Sequence, residues 1–101
     1  MDPSVDFIDR SVIGWGNRGW LDIIDFILIV CKNGSLKTHI MYKCNLNSKQ
    51  VERYIQYLLR CKLLEESKTA DDSKRHLYHT TELGRKYTGR YNELAEIFID
   101  N

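Results

Sequence analysis

The chain has a single proline, no Cys-x-x-Cys pair and no glycine-rich phosphate loop, and each shortage removes a class of protein. With little proline and 43% hydrophobic residues, it is neither a disordered tail nor a collagen-like repeat. Cys31, Cys44 and Cys61 are odd in number, widely spaced and set beside apolar positions. That pattern reads as small core or half-buried residues in a reducing compartment, with no metal site. His39 joins them only by a coincidence of folding. The apolar stretch Ile27-Leu28-Ile29-Val30-Cys31 follows Asp22 and Asp25 and falls well short of the roughly 20 residues that span a bilayer. No membrane partner is expected. Three aspartates precede Arg10 at the start, where a secretory signal carries basic residues and then an apolar stretch, so the expected location is the cytoplasm. No paired carboxylates sit on a clear scaffold, and Ser, Cys and His are scattered without a nucleophile-base constellation. Neither catalysis nor a cofactor is expected.

What remains is a chain of 101 residues, room for one domain and one modest core. Residues 1–19 read as an arm, because Gly14, Gly16 and Gly19 around Trp15 break any period. Within it Val5, Ile8 and Val12 keep helical spacing after Asp2-Pro3, which fits a short docked helix and a flexible tail equally. From Trp20 to Lys32 the apolar positions recur at three and four, and their surplus predicts a helix covered on most sides. Asn33-Gly34 supplies a reversal, Ser35 is placed to cap the next element, and Leu36 to Tyr42 reads as a short second helix with Leu36, Ile40 and Met41 inward. Cys44-Asn45-Leu46 makes the next turn. Asn47 with Gln50 three residues on approximates a capping box. In the helix it opens, Val51, Tyr54, Ile55, Leu58 and Leu59 share one arc, opposite Lys49, Arg53, Gln56 and Arg60. Leu63 to Glu66 and His76 to Thr80 read as two strands around a polar tip, Lys68 to Arg75. His76 and His79 then lie on opposite faces of a strand, not paired for a metal as on a helix. Thr81 is placed to cap a last helix, in which Gly84, Tyr87, Tyr91, Leu94 and Phe98 alternate spacings of three and four like a short coiled-coil seam.

Helix, helix-turn-helix, two strands and helix is the order of a mainly α, α+β winged helix-turn-helix with a two-stranded wing and a C-terminal dimerisation helix. The expected division is an arm at 1–19, the helix-turn-helix with its wing at 20–80, and the dimerisation helix at 81–101. A net charge of +1 conceals a dipole. Residues 32–62 carry Lys32, Lys37, Lys43, Lys49, Arg53, Arg60 and Lys62 against Glu52 alone, while the flanking blocks are net acidic. Such concentration matters because binding to a phosphate backbone draws on counterions released locally, and distant acids are screened within about 8 Å.

The run from Gly34 to Asn47, Lys37-Thr38-His39-Ile40-Met41-Tyr42 above all, with Gln50, Tyr54, Leu58-Leu59 and the later Thr80-Thr81-Glu82-Leu83-Gly84, resembles archaeal winged-helix regulators and the related small Sulfolobus chromatin proteins. The resemblance spans roughly residues 20–98, and the arm has no counterpart in it. It implies double-stranded DNA as ligand and a homodimer joined by an antiparallel C-terminal coiled coil, in a regulator or nucleoid-associated protein. A protein-docking winged helix that does not bind DNA is the alternative, since fold alone does not decide between them.

On this reading Lys49 and Arg53 face the major groove, with Arg53 suited to a bidentate grip on guanine. Ser48 and Gln50 reach phosphate or adenine, Gln50 being as well explained by capping. Gln56, Tyr57 and Arg60 lie further along, Arg60 toward phosphate or solvent. Lys37 and Lys43 straddle the backbone, though for each a solvated surface lysine fits as well. Lys68, Lys74 and Arg75 of the wing approach an adjacent minor groove, opposed by Asp71 and Asp72. Tyr87, Tyr91, Leu94 and Phe98 pack on their own domain or on a partner, the dimer seam being preferred because a helix of roughly 20 residues outruns a small core, with Leu83 and Ile97 then toward the parent domain.

Overall fold

The computed structural model describes residues 19–99, so the helical spacing of Val5, Ile8 and Val12 lies outside the described residues. Among them the elements run α1 (Trp20–Val30), β1 (Ser35–Leu36), α2 (Lys37–Lys43), α3 (Ser48–Arg60), β2 (Leu64–Lys68), β3 (His76–Thr80) and α4 (Glu82–Ile99). The strands form an antiparallel sheet in the order β1-β3-β2. This is four helices with a three-stranded sheet, a winged helix, mainly helical and α+β.

Helix α1 buries Ile24, Ile27 and Leu28, and its C-cap residue Cys31 follows them into the core, while Trp20, Leu21, Phe26 and Ile29 stay exposed. The apolar surplus therefore does not mean cover on most sides. Burial follows one stripe, and the other apolar residues face outward. The helix ends in a turn closed by Gly34, whose N–H donates to the Cys31 carbonyl at 3.0 Å. Gly34 holds φ +97°, a conformation that favours glycine, and a Cβ there would lie 2.8 Å from the His79 ring, which would have to shift.

Ser35 does not cap α2. Its hydroxyl donates to the Val30 carbonyl at 2.9 Å while its backbone enters the sheet opposite Tyr78. Leu36 takes the N-cap position with no side-chain hydrogen bond. A two-residue strand carries no period, which is why the sequence suggests only the two-stranded wing. Beyond it, Asn45 at φ 56° and Lys62 at φ 64° stop α2 and α3 in left-handed turns.

Helix α3 starts as its sequence dictates. The Asn47 carboxamide accepts from Gln50 N at 2.8 Å and the Gln50 side chain accepts from Asn47 N at 2.9 Å. Val51, Ile55 and Leu58 go into the core with Ile40, Cys44 and Leu46 from the preceding segment and Leu64 and Tyr78 from the sheet. Asn47→Ala should lower stability by about 1 kcal/mol, read as an earlier urea midpoint at unchanged slope.

Thr80 and Thr81 join the layers. The Thr80 hydroxyl donates to the Leu28 carbonyl at 2.6 Å, and its N–H to the Cys31 carbonyl at 3.1 Å. Thr81 Oγ1 donates to the Lys62 carbonyl at 2.7 Å and accepts from Gly84 N at 3.0 Å, so it caps α4 and holds the end of α3. Cys31 and Cys44 are fully buried and Cys61 half-buried. Burial, then the neighbouring Cys44, pushes the Cys31 thiol up to about 12, which keeps it protonated and inert. Among the described residues no helix is long and apolar enough to cross a membrane.

Candidate nucleic-acid interface

Because Val51, Ile55 and Leu58 turn inward, the 3.6-residue period turns Ser48, Lys49, Gln50, Arg53, Gln56, Tyr57 and Arg60 outward, and all seven are exposed. Neither Lys49, Arg53 nor Arg60 has an ion-pair partner among the described residues. Lys43, on α2, is likewise exposed and without one.

The single acid of this basic block is neutralised where it stands. Glu52 accepts from Lys37 Nζ at 2.5 Å and from Gln56 Nε2 at 3.1 Å. The Lys37 hydrogen bond first, then that of Gln56, hold its carboxyl below the usual carboxylate range. Lys37 therefore ties α2 to α3 and cancels Glu52, and it is not a free cation for phosphate. Gln56 is partly engaged in the same way. Gln50 spends its carbonyl on the cap and keeps its NH₂ group outward. The Tyr57 hydroxyl is pushed up chiefly by a hydrogen bond with Cys61, so it remains a neutral phenol at the far end of α3.

The wing tip is organised around an acid. Asp71 Oδ1 accepts from Thr69 and Ser73 hydroxyls, both at 2.6 Å, and these bonds hold its carboxyl well below the ordinary range. Arg75 reaches Asp71 at 3.5 Å and donates from Nε to Ser73 at 3.1 Å. Arg75 is thus engaged within its own loop, whereas Lys68 and Lys74 stay exposed without ion-pair partners among the described residues. His76 pairs with Glu66 and stacks on Tyr78, while His79 lies against Gly34. The two histidines face opposite ways, and no three His, Cys, Asp or Glu among the described residues group as a metal site.

On α4 the expected seam divides. The Tyr87 hydroxyl donates to the Leu21 carbonyl at 2.8 Å and Tyr91 donates to the Asp22 carboxylate, the two rings stacked 6.3 Å apart. Burial pushes Tyr87 up to about 12 and Tyr91 higher still. Both tyrosines therefore hold α4 to α1 of the same chain. Leu94, Ile97 and Phe98 stand 56%, 57% and 48% exposed, and Leu83 is also outward. Leu83 and Ile97 accordingly belong to the outer surface and do not face the parent domain.

Two features had no clear sequence signal. A groove of about 480 Å³ opens between α1 and α3, lined by Trp20, Ile24, Gln50, Arg53, Tyr54 and Tyr57. Tyr42 stands 82% exposed on α2 beside Lys43. The groove becomes visible only when two helical stripes distant in sequence are laid side by side.

An exposed, amphipathic third helix, a short second helix strapped to it and a β-hairpin beside them define the helix-turn-helix class with a wing. The chain belongs to the winged helix-turn-helix family, whose model matches residues 17–98. It is 32% identical over 81 residues to the uncharacterized protein MJ0287 of Methanocaldococcus jannaschii, covering 79% of this chain and 76% of that one. Its fold is similar to that of Sso10a-2, a DNA-binding protein from Sulfolobus solfataricus, with a TM-score of 0.70, 24% identity, and 79% and 81% of the two chains covered. It also resembles the MarR family regulator NMB1585 of Neisseria meningitidis, with a TM-score of 0.59, 19% identity, and 92% of this chain and 62% of that one covered.

Proposed function

We propose that this chain is a non-enzymatic DNA-binding protein, a transcriptional regulator or nucleoid-associated protein of the cytoplasm, that grips duplex DNA as a homodimer. Residues 20–80 carry recognition and residues 81–101 assembly. The observation that carries the reading is the outward, unneutralised cationic face of α3, with Lys49 and Arg53 at its N-terminal half. That is the part of a recognition helix that reaches base edges in a major groove. Arg53 reads a base, Lys49 and Arg60 meet phosphate, and Ser48, Gln50 and Lys43 flank them. Lys74, like Lys68, is a free cation of the wing, and Arg75 supports the loop. The fold likeness to a DNA-binding protein and the family membership support this reading.

Titration of a random duplex at stepped salt tests it. With the four phosphate-facing cations Lys43, Lys49, Arg60 and Lys74 of each protomer engaged in a dimer, log affinity should fall against log salt with a slope of about −7. A slope near zero, or no binding at low salt, would overturn the proposal and favour a protein-docking role.

For the homodimer, the outward stripe Leu83, Leu94, Ile97 and Phe98 supplies the apolar contact. Its α4 extends about 27 Å, and exposed apolar residues along that length suit a two-fold pairing. Leu94→Asp should convert dimer to monomer and weaken DNA binding; light scattering showing an unchanged mass would remove Leu94 from the interface.

A further inference from the structure

The groove between α1 and α3 is built like a receptor for a helix. One wall is Trp20 and Ile24, spaced by four on α1. The other is Gln50, Arg53, Tyr54 and Tyr57, spaced by three, four and seven on α3. An amphipathic helix laid into such a groove anchors through residues at the same spacings. Its floor is aromatic and aliphatic, Arg53 gives one edge a positive charge, and Trp20 remains 58% exposed at its mouth.

Eighteen residues precede Gly19, directly beside Trp20. They contain Val5, Ile8 and Val12, spaced by three and four, and at 100° per residue Asp2, Asp6 and Asp9 share the arc next to that apolar stripe. Apolar stripe and acidic edge thus match apolar floor and cationic edge. Gly14 and Gly16, between that stripe and Trp20, supply permissive backbone. The other groove beside Trp20, of about 280 Å³ between α1 and α4, suits this segment less, because its acidic group is Asp22.

We propose that residues 3–13 are the occupant of the α1–α3 groove and compete with DNA for Arg53, making the arm an intramolecular mimic of the polyanion. The competition rests on the DNA reading; the docking does not. An arm docked nine-tenths of the time would weaken apparent DNA affinity about tenfold, because only the undocked fraction is competent.

The test uses the 101-residue chain and a variant with Val5→Ser, Ile8→Ser and Val12→Ser, which leaves net charge unchanged. Hydrogen exchange without DNA should show residues 50–57 protected in the parent and faster in the variant, and the variant should bind a random duplex about tenfold more tightly. Trp20→Ala, which removes the exposed wall without opening the core, should give the same gain, and the two changes combined should give no more than either alone. Equal exchange at residues 50–57 in parent and variant overturns the docking. Protection that grows with protein concentration and persists in the serine variant assigns the groove to a second copy and overturns it too. An exchange difference with no duplex binding by either protein upholds the docking, while overturning the competition and the DNA reading on which it rests.

Discussion

Arg53→Ala is expected to weaken specific duplex binding by about 5- to 150-fold, the equivalent of about 1–3 kcal/mol, and to relax selectivity at one base pair. The expectation comes from geometry and charge together. Val51, Ile55 and Leu58 fix the rotation of α3, so Arg53 faces outward one turn from the helix start. Its guanidinium has no ion-pair partner among the described residues to lose when it meets a base, and a planar fork matches the two acceptors of guanine. Lys49→Ala should act differently. As a phosphate contact it should weaken all sequences alike and reduce the salt slope by about one per protomer. Competition binding with a selected and a scrambled duplex separates the two. Uniform weakening by Arg53→Ala would reassign that residue to phosphate. Lys37→Ala is the informative contrast, since its charge is spent on Glu52: its loss frees an acid on the cationic face, and any weakening should come with a looser hold between α2 and α3.

Much of the fold was legible because its signals are local. The Asn47–Gln50 cap, the apolar arc of α3, the strand pair around a polar tip and the Thr81 cap each lie within a few residues of chain, and each stands in the structure, with the first strand running from Leu64 to Lys68 where the pattern puts it at Leu63 to Glu66 because Ser67 and Lys68 pair with β3. What was not legible depends on partners far away in sequence. Ser35 looks like a cap until β3, more than forty residues on, offers its backbone a ladder and Val30 offers its hydroxyl a carbonyl. Tyr87 and Tyr91 belong to an apolar stripe whose period cannot say whether the opposing surface is a partner or α1 of the same chain. Their hydroxyls on the Leu21 carbonyl and the Asp22 carboxylate give the answer. The candidate interface shows the same division. The outward face of α3 follows from period alone, whereas the engagement of Lys37 with Glu52 and of Arg75 with Asp71 needed the fold or the loop closed around them.

The two glycines of α4 carry the distinction between local and tertiary information to a measurable difference of sign. Sequence alone gives one expectation for both Gly84→Ala and Gly89→Ala: alanine is the better helix former by about 1 kcal/mol in a helix interior, so each change should stabilise. At Gly89 a Cβ meets nothing within 4 Å, so the gain should be realised, raising the melting temperature by a few degrees. At Gly84 the added carbon would lie 2.5 Å from the Leu63 carbonyl oxygen and 2.6 Å from Thr80 Cγ2. Neither neighbour moves freely. The Leu63 carbonyl accepts from Thr81 N at 3.1 Å, and Thr80 is held by its 2.6 Å hydrogen bond to Leu28. Relief therefore requires α4 to lift from the end of α3 and the sheet, loosening the Tyr87 and Tyr91 bonds to α1. Overpacking of this kind costs about 1–3 kcal/mol, which outweighs the helix-propensity gain in a first-turn position. Thermal and urea unfolding of the two variants side by side should move in opposite directions, with Gly84→Ala lowering the melting temperature by at least several degrees. Equal stabilisation by both would mean that α4 does not approach the α3–β2 junction closely, and the placement of Leu94 and Phe98 on an outward stripe would fall with it.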